Sequence, residues 1–322
     1  MTDESFLECW FLTGPTASGK TAVGVELAKI LNAEIISLDS MAVYRGMDIG
    51  TAKPTDAERR CILHHLIDIV APNDEFSVAE YRDHAWRAVQ GIWERGNEVL
   101  FVGGTPLYLT ALLRGLSNGP PPDWDFRRQV GLEVQQFGSQ ALHDRLGQVD
   151  PLSAAKLHPH DVKRMTRALE VQRVTGQPIS HLQTQFDEGR PSGECRVFKL
   201  DWPRAELYAR IDNRVDRLFD NGLVDEVRGL LATYGDFSQT ARQAVGYREV
   251  LDYLSGATTL EAAIEGVKTR TRRFAKHQET WFRRLSECHI FPMDTDLVPN
   301  QVAQHLAAKK GDGGLFVRSP LR

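Results

Sequence analysis

"GPTASGKT", Gly14 to Thr21, decides the fold. The string satisfies G-x-x-x-x-G-K-[ST], a loop that folds around phosphates at a helix N-terminus. Its residues are Gly14, Pro15, Thr16, Ala17, Ser18, Gly19, Lys20 and Thr21. The glycines permit a tight turn in which successive amide hydrogens converge on anionic oxygens. Lys20 adds a full positive charge, and the Thr21 hydroxyl is the ligand expected for Mg²⁺. The apolar run "CWFLT" (9–13) before the motif and the helical spacing of "TAVGVELAKIL" after it give strand, loop, helix. The motif alone leaves open which phosphates are held and what is done with them.

Moving outward, "AEIISLDS" (33–40) reads as a second buried strand and "NEVLFVGGT" (97–105) as a third. Ser77 with Glu80 forms a capping box that opens a helix running to about Arg95. Apolar strands alternating with helices predict an α/β fold, a parallel sheet covered on both faces, of the P-loop NTPase type. The pattern changes at the proline-rich "SNGPPPDWD" (117–125), after which some seventy residues contain no strand. Asp161 caps the helix "VKRMTRALEVQRVT", closed by Gly176 and Pro178. The expected organisation is a first part of the core at 1–119 and an all-helical insertion at 120–195. The rest of the core follows at 196–310, with strand character at 195–202 and 289–293 and basic C-terminal helices, and a glycine-rich disordered tail at 311–322.

A formal net charge of −4 excludes a general polycation, so any nucleic-acid contact must come from a local basic patch. Such a patch lies at 266–284, where seven cations face Glu279 alone, a net of +6. Lys268, Arg272 and Lys276 recur every four residues, one helix face suited to a phosphate backbone. Phe274, Trp281 and Phe282 interleave with them and are expected in the core. Four scattered cysteines show no metal spacing, and the pairs His64-His65 and His158/His160 lack a third ligand. The N-terminus carries neither a signal peptide nor a membrane span, so a cytoplasmic protein without membrane contact is expected.

P-loop hydrolases usually hold Mg²⁺ with an Asp closing an apolar strand, but "VLFVGGT" ends without a carboxylate. The carboxylate instead closes the second strand, as Asp39. By position it is equally a capping residue or a group facing the ligand crevice. Arg210 and Arg214 share a helix face, and the charge pattern alone favours pairing with Asp212, Asp216 and Asp220 over a ligand role. A nucleotide kinase, another pyrophosphate-handling enzyme and an RNA-binding P-loop protein without chemistry all remain compatible with these residues.

"TGPTASGKT", "SLDSMAVYRGMDIGTAKP", "HHLIDI", "FSVAEY", "VGGTPLYL", "RALEV", "AVGYREV" and "TRRFAKHQETWFRR" together resemble the bacterial tRNA dimethylallyltransferases, also called tRNA isopentenyltransferases. The matches run in order from residue 12 to about 284. The resemblance implies transfer of a dimethylallyl group from dimethylallyl diphosphate to the exocyclic amine of the adenosine 3′ of the anticodon, with Mg²⁺, by a monomer. It implies a loop that binds a leaving diphosphate; ATP, the usual ligand of such nucleotide-binding loops, is expected to bind weakly at most and not to be turned over.

The same resemblance makes Asp39 the general base and Thr105 an active-site hydroxyl, and turns Arg210 and Arg214 toward the diphosphate. For contact with the tRNA anticodon stem-loop it implies Asp39, Ser40, Met41 and Ala42; Thr105; Arg127; Lys163, Arg164, Met165, Thr166 and Arg167; and Arg242, Gln243, Ala244, Val245, Gly246 and Tyr247. The family often has Gln where this chain has Lys163, and Arg at the position of His277.

Overall fold

The computed structural model describes residues 3–116, 119–183 and 189–309. The expected tail, 311–322, lies outside them. The chain forms two compact units, Met1–Leu113 with Gly189–Arg322, and Arg114–Glu188.

The first unit is built on six parallel strands: β1 Trp10–Thr13, β2 Ala33–Ser37, β3 His64–His65, β4 Glu98–Val102, β5 Val197–Asp201 and β6 Cys288–Pro292. Their order is β3-β2-β4-β1-β5-β6. The expected α/β class is thus what the sheet shows. Strand residues alternate between two cores: Phe11 stacks on Phe101 at 4.8 Å on one face, while Trp10, Leu12, Leu100 and Leu200 fill the other. Both faces are apolar, which is why the central strands β1 and β4 read as near-continuous hydrophobic runs. The two-residue edge strand β3, paired to Ile35 and Ile36, is too short to leave a sequence pattern.

Helices α1 Lys20–Leu31, α2 Asp56–Cys61, α3 Val78–Glu94 and α4 Pro106–Arg114 follow the first four strands. The Ser77 capping box opens α3 as read, Ser77 Oγ accepting from the Glu80 amide at 3.2 Å. With parallel strands, the ends of β1, β2 and β4 open onto one edge of the sheet, where ligands of such sheets bind.

The second unit contains α5 Trp124–Val149, α6 Pro151–Lys156, α7 Val162–Thr175 and α8 Ile179–Leu182. Its bounds fall earlier in the chain than the expected 120 and 195, because the segment from 189 bonds into the first unit, the Arg190 amide donating to Glu287. Asp161 caps α7 through the Arg164 amide at 3.2 Å. Several residues expected to touch RNA have partners within this unit. Met165 is fully buried among Phe126, Leu146 and Leu169, and Thr166 is buried with its hydroxyl on the Val162 carbonyl. The fully buried Glu170 takes a bidentate pair from Arg127, at 2.8 and 2.9 Å, and a third bond from Arg167. A buried carboxylate requires such partners, and this occupies both arginines. Lys163 and Arg164 remain exposed.

The chain returns to the first unit with α9 Arg204–Asp220, α10 Leu223–Tyr234, α11 Tyr247–Leu254, α12 Leu260–Phe282 and α13 Pro299–Ala308. Among the described residues, no helix is long and apolar enough to cross a membrane.

Candidate active site

A cavity of about 980 Å³ opens at the strand ends of the first unit. Thr16 to Thr21 form one wall, and Gly14 and Pro15 lead into it from β1. The loop is fixed from outside: Trp202 Nε1 donates to the Ser18 carbonyl at 2.9 Å, and Arg210 Nε to that of Ala17, also at 2.9 Å. Ala17 has φ 64°, a conformation a non-glycine residue keeps only when its surroundings hold it. Arg210 also stacks on the Trp202 ring, 4.2 Å from its centroid.

Lys20 Nζ lies on the Pro15 carbonyl at 2.7 Å. Burial pushes this ammonium down to about 7, the charge of Arg214 acts in the same direction, and Asp39 opposes both. Burial likewise lowers Arg214, against the pull of Asp39. The two cations and the carboxylate therefore face one space, and an anion entering it would meet charge stripped of water.

Asp39 follows β2. Its Oδ1 accepts from the amides of Met41, at 2.8 Å, and Ala42, at 3.3 Å. The residue is thus both a cap and a cavity wall, so the two readings of its position were never exclusive. Thr105, after β4, accepts from the Ser40 amide at 3.0 Å, tying the two strand ends together. Asp39, Ser40, Met41, Ala42 and Thr105 all line the cavity. The strand-end carboxylate of a hydrolase cannot stand at Gly103, because even a Cβ there would lie 2.1 Å from the Leu38 carbonyl oxygen.

The opposite wall comes from α9, α12 and the segment before α11. Arg210 and Arg214 face the cavity. The acidic residues expected to pair with them turn elsewhere: Asp212 takes Arg272 at 2.5 Å and Asp216 takes Lys268 at 2.8 Å. This corrects the phosphate-facing row of Lys268, Arg272 and Lys276. Its first two members are ion pairs between α12 and α9, and only Lys276 is exposed.

Of Arg242 to Tyr247, Gln243, Ala244 and Val245 reach the cavity, while Arg242 pairs with Asp236 at the surface. Gly246 caps α11, its amide on Glu249 at 2.9 Å. Tyr247 is fully buried and donates to Glu226, which also holds the amides of Asp48, Ile49 and Gly50. Tyr247 thus anchors that loop from the core.

Residues outside the expected site set complete this wall. Arg217, Arg270, Arg273, Phe274, His277 and Gln278 all line the cavity. Phe282 is buried as expected, but Phe274 is 43% exposed. Helical spacing alone held the signal for Phe274, since it lies eight residues from Phe282 and four from Arg270. In the pair His64-His65, His65 bonds Glu34 at 2.6 Å, and His64 meets the Ile62 carbonyl while also lining the cavity.

The Thr21 hydroxyl and the Asp39 carboxylate are oxygen donors in this cavity that a divalent cation could use. Among the described residues, no group of three His, Cys, Asp or Glu converges on a metal. Such a sparse, hard-oxygen set fits Mg²⁺, which keeps most of its shell as water and substrate phosphate.

The sequence matches the IPP transferase family over residues 42–285. A tRNA dimethylallyltransferase of Rhodopirellula baltica is 53% identical over 298 residues, 90% of this chain and 89% of that protein. One of Pelotomaculum thermopropionicum is 45% identical over 92% of this chain and 94% of its own. Among solved structures, the full-length tRNA isopentenylpyrophosphate transferase of Bacillus halodurans is similar at a TM-score of 0.67, with 40% identity, covering 95% of this chain and 98% of that one. A eukaryotic dimethylallyltransferase acting on tRNA superposes at 0.75 with 27% identity, covering 94% and 78%.

Proposed function

The chain belongs to the IPP transferase family, and from that premise we propose that it transfers the dimethylallyl group of dimethylallyl diphosphate to the exocyclic amine of the adenosine 3′ of the anticodon in tRNA. One observation carries the reading: Lys20 and Arg214, cations suited to a leaving group, line a single cavity with Asp39, a carboxylate suited to act as base.

The adenine amine is a poor nucleophile, since its lone pair is delocalised into the ring. In the proposed step its nitrogen forms a bond to the allylic C1 as the bond from C1 to the diphosphate oxygen breaks. The amine proton passes to Asp39, and the electron pair of the broken bond leaves on the diphosphate. Asp39 suits this role because its Oδ1 is already fixed by two amides, which orients the carboxylate before substrate arrives. Thr105 holds the amine or the bridging oxygen. The first-turn amides of α1, Lys20, Arg210 and Arg214 stabilise the departing charge. Mg²⁺, held by Thr21 and the phosphates, would neutralise further charge on the leaving group.

To reach Asp39 the adenosine must leave its stack. Phe274, exposed at the cavity beside Arg273 and His277, offers a ring for the extruded base or its neighbour. The apolar lining from Val102, Val215 and Val267 suits a five-carbon chain and excludes water that would capture the allylic electrophile.

The test is release of pyrophosphate from dimethylallyl diphosphate when protein, Mg²⁺ and tRNA are mixed, with ATP left intact. Steady phosphate release from ATP, abolished by Lys20→Ala, would overturn the reading in favour of a kinase or NTPase.

A further inference from the structure

Gln278 does something no neighbouring residue of α12 does. Its side chain is buried, with 4% of the residue exposed, and both ends of its carboxamide are used. Oε1 accepts from the Thr16 amide at 2.9 Å, and Nε2 donates to the Gly104 carbonyl at 2.6 Å. Thr16 belongs to the phosphate loop. Gly104 immediately precedes Thr105. One side chain, 262 residues from the first partner and 174 from the second, thus spans the two segments that the proposed reaction must hold at a fixed separation.

The carboxamide is packed closely against Gly104. A Cβ on Gly104 would sit 2.7 Å from Gln278 Nε2, so residue 104 has room for nothing but hydrogen. The same phantom Cβ would lie 2.9 Å from the Gly14 carbonyl oxygen and 3.5 Å from Lys20 Nζ, placing the clamp beside the leaving-group lysine. The helix is itself pinned next door, where the buried Lys199 holds Glu279 at 2.6 Å. Phe274, one turn before Gln278, and His277, the residue just before it, also line the cavity.

An amide bonded to Gln278 is unavailable to an anion. The Ser18 amide is likewise spent, on the Pro15 carbonyl at 3.3 Å. The anion cradle is therefore left to the remaining amides of the loop and to the first turn of α1 from Lys20 onward, whose amides have no preceding turn to bond. The position of that cradle relative to Thr105 is set by the loop's attachment to Gly104. A carboxamide suits the task because it alone, at this length, pairs an acceptor and a donor on one planar group.

We propose that Gln278 is a positioning residue of the transfer reaction: it clamps the diphosphate loop to the Thr105 segment and so sets the distance between leaving group and attacking amine. The inference rests on the diphosphate reading of the loop. It acts through its bonds to Thr16 and Gly104.

The test compares Gln278→Met, which keeps length and loses both bonds, and Gln278→Asn, which is too short to span, with Phe282→Leu, a core change on the same helix. Three readouts apply: exchange of the Thr16 amide by NMR, affinity for inorganic pyrophosphate by calorimetry, and steady-state kinetics. The Gln278 variants should speed Thr16 exchange by about tenfold or more and weaken pyrophosphate by roughly tenfold. They should lower kcat/KM for dimethylallyl diphosphate by about ten- to a hundredfold, with the tRNA dissociation constant held within about twofold. Phe282→Leu should lower Tm without any of these changes. If Met does not fold, Asn decides. Unchanged Thr16 exchange would show that the clamp does not exist. Faster exchange with unchanged pyrophosphate affinity would show that it positions nothing. Either result overturns the proposal. A wild-type protein that binds pyrophosphate but transfers no allyl group would instead count against the proposed function and leave the clamp standing.

Discussion

The two walls of the cavity are built by opposite means. The phosphate-loop wall is one uninterrupted stretch, Thr16 to Thr21, whose geometry is written in its own residues. The facing wall is gathered from α9, α12 and residues 243–245, and what it presents depends on which face of each helix turns inward. On the first wall every cavity-lining residue comes from the quoted motif. On the second, the row of Lys268 and Arg272 turned away to pair with α9, while Arg273, Phe274 and Gln278, none of them in that row, line the site. Local backbone chemistry survives any packing; the meaning of a helix face does not exist until the helix is packed.

The largest effects should come from residues at the strand ends. Asn at position 39 retains the oxygen that the Met41 and Ala42 amides use, so Asp39→Asn should preserve the turn and remove only the base. Single-turnover rates should fall by roughly 10²-fold or more with tRNA affinity nearly intact. A rate close to wild type would leave Asp39 as a cap alone.

Lys20→Ala, from the contiguous wall, and Arg214→Ala, from the gathered one, should each weaken pyrophosphate binding by roughly ten- to a hundredfold, the scale of a charge-assisted contact. Calorimetry that finds Arg214→Ala silent would confine diphosphate recognition to the loop and break the symmetry between the walls.

Phe274→Ala should weaken tRNA by roughly tenfold, as expected for one stacked base, and leave pyrophosphate affinity unchanged. The opposite pattern would move Phe274 from the RNA side to the allyl pocket.

Proton linkage gives a fourth test. Lys20 sits at about 7 in the folded protein against 10.5 in a free chain. Its lowered value means the unfolded state binds more protons between those limits, so this site's penalty on stability is full below pH 7 and fades as pH rises toward 10.5. A bound diphosphate restores the proton. Binding near pH 8 should therefore take up protons, seen as a heat that varies with buffer ionisation enthalpy, and Lys20→Ala should abolish that uptake. Buffer-independent heats in the wild type would place the lysine away from the anion.

The smallest effects should be at the row that turned away. Neutralising Lys268 and Arg272 together should cost at most about 1 kcal/mol per surface pair and leave the salt dependence of tRNA binding unchanged. Neutralising Arg273 and Lys276 should reduce its log–log slope by about 0.7–0.9 per lost phosphate contact. A reversal would restore the original stripe.

Much of the fold was legible because its signals are local. Apolar runs of sheet-core type marked β1, β2 and β4, and Ser77 with Glu80 marked α3. Strand β3 was not, since two residues carry no period. In the helical unit, Asp161 and Gly176 bounded α7, yet nothing in "KRMTR" distinguishes the exposed Lys163 and Arg164 from the buried Met165 or from Arg167 on Glu170. Tyr247 and Gln278 show the same limit, because their partners lie in segments far along the chain.

By itself, then, the sequence determined a phosphate-binding loop at the end of a parallel strand and a carboxylate closing the next one. Both follow from short-range constraints: what glycine and a first helical turn permit, and where a strand must stop. The tertiary structure alone decided that Lys20, Arg214 and Asp39 share one space, and that α12 offers the site an aromatic ring and a carboxamide where a row of charges had been expected. Long-range electrostatics and the facing of helices depend on distances between segments that no local pattern encodes, and burial of those charges, not their identity, sets what they can do.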